Sequence, residues 1–147
     1  DLEHLKAAVG KASRETLGKM MLDALKSAPA NKTAKGAIAR FLAIGGAYID
    51  FGIKKSNLNE IAFICFDSPE LEPDSPNPSE LLMASLTELH ELRCLSDKNF
   101  KTAPMIAWSM VHGFAGLAAQ GATGNSGETL ASKKDVLMAV LKSLEIK

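Results

Sequence analysis

The sequence predicts an all-α fold, a bundle of about six helices, and three observations carry that prediction. Apolar residues recur at helical spacing along most of the chain. The breaks between those runs carry helix punctuation, above all Pro29, Asn77-Pro78 and Ser132 to Asp135. Only the run from Leu58 to Phe66 has strand-like composition at its end, and no second candidate exists to pair with it, so it is read as helix. At 147 residues the chain is one domain, 1–147, long enough to bury a core.

The elements follow in order. Leu2, Leu5, Val9, Leu17, Met20, Ala24 and Leu25 define a long first helix running to about Ser27, which Pro29 ends. Asn31 is the candidate cap of the next helix, whose large apolar residues are Ile38, Phe41, Leu42, Tyr48, Ile49 and Phe51. Gly45-Gly46 inside it marks a close helix–helix approach. Ser56-Asn57 reads as a turn and cap before the Leu58–Phe66 run, and Ser68 to Asn77, with Pro69, Pro73 and Pro76, reads as a solvated loop. Asn77 as cap, Pro78 in the first helical position and Glu80 behind it start a helix carrying Leu81, Leu82, Leu89, Leu92 and Leu95. Pro104 lies too deep for a helix begun at Asp97, so Thr102 caps a fresh start or the helix kinks. Gly121 to Ser132 is a Gly/Ser/Thr loop, and Ser132 to Asp135 forms a capping box before an amphipathic last helix.

Composition excludes several classes. Hydrophobic residues make up 46% of the chain and charged ones 23%, which argues against a disordered segment. Seventeen basic residues balance 17 acidic ones, so the chain itself lacks the basic excess with which proteins neutralise phosphates. Residues Asp1 to Lys11 mix charges through a helical pattern, unlike a secretory signal. Apolar runs such as Phe41 to Ile49 fall short of the roughly 18 residues a bilayer span needs, and Cys65 and Cys94 suit a reducing compartment. The expected location is cytoplasmic, with no membrane partner.

Candidate chemistry is sparse. His90 and Cys94 sit four apart with Glu91 beside His90, but the paired spacings of zinc or di-iron sites are missing, so no metal and no cofactor is expected. No Gly-framed nucleophile turn is present, and the glycines from Gly121 to Gly127 have neither the Lys nor the strand of a phosphate loop, so no enzyme is expected. The informative stretch is Ala107 to Leu117. Trp108 and His112 are four apart and share a helix face, and Gly113 costs a helix interior roughly 1 kcal/mol, a cost usually met where another backbone comes close. This helix is apolar on every side, which requires burial on every side and suggests a second subunit. Trp108 and His112 either pack in the core or line a ligand cavity.

Trp108, three residues, then His112-Gly113 on a late helix resembles the regulatory domain of TetR-type transcription factors, in the branch named for its Trp-His-Gly motif. Ala47-Tyr48-Ile49-Asp50-Phe51-Gly52 is similar to that family's Ala-Tyr-x-x-Phe-Ala helix end, although Ser56-Asn57 stands where Asn-Pro is common. Asp1 to Val9 resembles the stretch that opens the long linking helix after the DNA-reading helices. The resemblance implies a C-terminal ligand-binding and dimerisation domain whose helix-turn-helix would lie ahead of Asp1. Operator DNA would be met only through that module. It also implies a homodimer whose last two helices form a four-helix bundle, with Met110, Gly113, Leu117, Val136, Leu137, Val140, Leu141 and Leu144 as its surface. A small apolar effector would bind among Tyr48, Phe51, Phe66, Met83, Leu86, His90, Met105, Trp108 and His112. The intact protein would be a transcriptional regulator, acting as a repressor. The rival readings are a helical protein-docking adaptor without a small-molecule ligand and a small metal-binding helical bundle.

Overall fold

The computed structural model describes residues 1–64, 69–122 and 131–147, with the side chains of residues 61, 63 and 64 outside the description. All regular structure among the described residues is helical: α1 (Leu2–Ser27), α2 (Ala34–Lys54), α3 (Ser56–Ile64), α4 (Pro78–Glu91), α5 (Asp97–Phe100), α6 (Ala103–Ala119) and α7 (Lys133–Ser143). The described residues form seven helices where about six were expected, because the stretch before Pro104 forms a separate single turn, α5. Thr102 takes the cap position of α6 and Pro104 lies in its first turn, so the chain restarts rather than kinks.

Most helix starts match their sequence signals. The Asn77 side chain accepts from Ser79 N–H with Pro78 at the first position of α4. Ser132 and Asp135 form the reciprocal capping box of α7. The cap of α2 is a correction. Thr33, not Asn31, receives Gly36 N–H, and Asn31 instead accepts the Thr33 hydroxyl from outside the helix. A second correction shortens α4, which stops at Glu91. Arg93 takes a positive φ of 58°, so Leu95 points into the core from a turn rather than from the helix. The predicted run Leu58–Phe66 is helical as far as Ile64, while Cys65 and Phe66 lie outside the described residues, as does most of the Gly121–Ser132 loop.

The centre of the bundle is α2, packed on α1, α3, α4, α6 and α7. By length and composition alone this helix could cross a membrane. Its position is that of a core helix, since Phe41, Ile44, Ile49 and Phe51 are all buried among the other helices. Arg40 ties the same helix to its surroundings: the guanidinium forms an ion pair with Glu88 on α4 and donates to the carbonyls of Pro29 and Asn31. Gly45 makes the close approach that the Gly45-Gly46 pair suggested, because a Cβ there would meet Leu137 Cδ2 at 2.8 Å.

Helix α6 departs from the expectation of burial on every side. Ala103, Ala107, Val111 and Ala115 form its inward spine, whereas Met105, Ser109, Gly113 and Leu117 are exposed. A Cβ added at Gly113 or Gly116 would meet nothing within 4 Å. The apolar outer side of α6 thus has no cover among the described residues.

Candidate functional site

Where α2, α4, α6 and α7 diverge they leave a cavity of about 310 Å³. From α2, the residues Phe41, Ile44 and Tyr48 face it at helical spacing, and Met21 of α1 adds to the lining. Trp108 and Val111 of α6 form the opposite wall, with Leu137 and Val140 of α7 behind. Leu82 and Met83 of α4 complete the lining, together with Pro78 and Pro104 from the first turns of α4 and α6. Met83 and Met105 are exposed as well as cavity-lining, which places the mouth between them.

Tyr48 organises the wall. Trp108 Nε1–H donates to Tyr48 Oη at 2.9 Å, and Tyr48 Oη lies 2.6 Å from His112 Nδ1. Tyr48 Oη thus accepts from the indole and shares a hydrogen bond with the imidazole Nδ1. Trp108 and His112 meet edge to face, with ring centroids 6.0 Å apart. The indole is thus turned so that its N–H is engaged with Tyr48 and its ring forms cavity wall.

Burial raises the Tyr48 phenol well above its ordinary value of 10.0, opposed by the Trp108 hydrogen bond, which lowers it. An acid whose folded pKa is raised contributes stability that is complete below its unfolded pKa, about pH 10, and is lost as pH rises beyond it. Tyr48 is the only tyrosine in the chain. We expect alkaline titration of the folded protein to show no tyrosinate absorbance through pH 10 to 11, and the denatured protein to ionise normally. Tyrosinate appearing at the same pH in both states would contradict the burial. Tyr48→Phe should remove this alkaline loss of stability while costing about 1–3 kcal/mol for its two hydrogen bonds.

Of the candidate ligand residues, the structure brings Tyr48, Met83, Met105 and Trp108 to the cavity, with His112 behind Tyr48. Phe51 and Leu86 do not reach it; both are fully buried in the solid core. His90 lies apart, with Nε2 2.6 Å from Asp97 Oδ1 and its ring stacked on Phe100. Phe66 lies outside the described residues.

Of the candidate dimer residues, Gly113 and Leu117 are exposed, and Met110 and Val136 are half-buried. Val140, Leu141 and Leu144 are corrected: they are 2%, 8% and 0% exposed in a single copy, so the apolar stripe of α7 is spent on this chain's own core. Leu137 joins Val140 at the cavity. The sequence reading missed Phe41, Ile44, Leu82 and Val111, which it had no reason to separate from ordinary core. Among the described residues no group of three or more His, Cys, Asp or Glu is placed to hold a metal.

A solved structure titled "Structure of a protein with unknown function from Rhodococcus sp. RHA1" is similar to the chain with a TM-score of 0.73 at 21% identity. The match spans 99% of this chain and 72% of that one. No curated protein matches the sequence. The family model described as "Tetracyclin repressor-like, C-terminal domain" matches residues 41–141, a span that holds the cavity wall from Phe41 and Tyr48 to Trp108, Val111 and Val140. The chain therefore belongs to the tetracyclin repressor-like C-terminal domain family.

Proposed function

We propose that this domain senses a small molecule in the cavity beside Trp108 and holds two copies of a cytoplasmic transcriptional regulator together. Such a regulator would act on operator DNA through a helix-turn-helix module, as a repressor. The Trp108, His112 and Gly113 spacing supports placement in the Trp-His-Gly branch. The observation that carries the proposal is the cavity itself. It is concave, apolar and walled by aromatic side chains, with its polar atoms already organised, which is the usual character of a small-molecule site. We assign no catalytic role to it.

The dimer surface we favour is the exposed side of α6, where Ser109, Gly113, Gly116 and Leu117 share one face. Two glycines with open space before them allow a second backbone to approach closely. Ligand would act by population shift: a molecule that binds one arrangement of α1 better than another changes the spacing of the two DNA-reading heads.

Trp108 is the only tryptophan, so its emission reports the cavity directly. Adding the neutral probe N-phenyl-1-naphthylamine should quench Trp108 and enhance the probe. Native mass spectrometry should show a dimer that Gly113→Leu converts to monomer. Unchanged emission would refute the cavity reading. A stable wild-type monomer at micromolar concentration would refute the dimer and favour a protein-docking role for the α6 face. In the intact regulator, equal operator affinity with and without bound effector would refute the switch.

A further inference from the structure

We propose that the cavity selects an uncharged, elongated apolar molecule and rejects the carboxylate and ammonium forms of the same skeleton. The inference rests on the cavity being a ligand site, as proposed above, and adds the chemical class of ligand.

The first ground is the lining, in which no described residue carries a formal charge. Helix α6, which supplies the longest wall, contains no Lys, Arg, Asp or Glu at all. On α2 and α7, Arg40 pairs with Glu88, and Lys133 pairs with Asp50 at 3.1 Å. The two segments outside the described residues, 65–68 and 123–130, hold Asp67 and Glu128 as their only charged residues, so neither can supply a cation.

The second ground concerns helix ends. The first turns of α4 and α6 both border the cavity, and a helix N-terminus is a neutral feature that can hold an anionic head. Each presents a proline there, Pro78 and Pro104, which has no N–H to donate. The next donor of α4, Ser79 N–H, is occupied by the Asn77 carboxamide at 2.9 Å. The third ground is Tyr48, whose hydroxyl is committed to Trp108 and His112. A charged head drawn inside would lose its hydration and find no opposite charge to replace it among the described lining residues. A hydroxyl, ester or ketone group gives up far less.

Three ligands with one tail test this: 1-decanol, decanoate and decylammonium, each below its solubility limit at pH 7.5, read by Trp108 emission and thermal shift. We expect 1-decanol to bind and the two ions to bind at least about a hundredfold more weakly. Placing a cation at the mouth with Met83→Lys, a position already 40% exposed, should raise the affinity for decanoate relative to that for 1-decanol. Equal binding of all three heads, or preference for either ion, overturns the selectivity and leaves the ligand site standing. Failure of 1-decanol, both ions and N-phenyl-1-naphthylamine together overturns the site and this inference with it. Failure of decanoate to gain affinity in Met83→Lys overturns the claim that missing charge causes the rejection.

Discussion

Phe51→Ala is expected to destabilise the domain by about 3–5 kcal/mol, the range for emptying a fully buried phenylalanine site. Phe51 is 0% exposed, and the neighbourhood has no room to collapse gently: a Cβ on the adjacent Gly52 would already lie 2.6 Å from Ala115 Cβ. The midpoint of urea unfolding checks this, since a shift of midpoint at constant slope isolates stability. Because Phe51 does not line the cavity, the folded fraction of the variant should bind N-phenyl-1-naphthylamine like the parent. A selective loss of binding at unchanged stability would move Phe51 from core to ligand wall.

The second large effect is a reversal of sign between two glycine-to-alanine changes. At an exposed helical position the change stabilises by up to about 1 kcal/mol, and Gly113→Ala should do so in the monomer, where a Cβ meets nothing within 4 Å. Gly18→Ala should instead cost about 2 kcal/mol or more, overpacking outweighing the gain in helix propensity. Its Cβ would stand 1.8 Å from the Pro76 carbonyl oxygen, a backbone atom that cannot rotate aside. Pro76 leads directly into Asn77 and Pro78, so relieving the clash moves the start of α4 and with it the cavity edge. We expect Gly18→Ala to lower both the melting temperature and the affinity for 1-decanol. A stabilised Gly18→Ala protein would show that the loop yields at no cost.

Much of this fold was legible because its signals are local. Pro29 ends α1, Asn77-Pro78 starts α4 and Ser132 caps α7 through contacts within a few residues. What escaped depends on how helices meet. Tyr48 and Phe51 belong to one helix turn, about 4.5 Å apart along the axis, yet one borders a cavity and the other is solid core. The periodicity of α2 gives the buried face and not the level at which its neighbours diverge. The stripe of Val140, Leu141 and Leu144 likewise proclaims burial without naming its partner, because burial of apolar surface is non-directional. This chain's own α2 and α6 claim that stripe, leaving the glycine face of α6 outside. The Tyr48 bonds to Trp108 and His112 span 60 and 64 residues, a register that no spacing rule within one helix encodes.

The sole tyrosine and the sole tryptophan are hydrogen-bonded to each other, and this gives the domain an unusual optical geometry. Excited at wavelengths that phenylalanine does not absorb, its intrinsic fluorescence originates at the seam between α2 and α6. A fluorescence melting curve is therefore a record of that seam alone, while far-ultraviolet dichroism averages over all the helices. Superimposable curves would mean that the seam parts only when the whole bundle does. An earlier fluorescence transition would mark it as the separable unit of the fold.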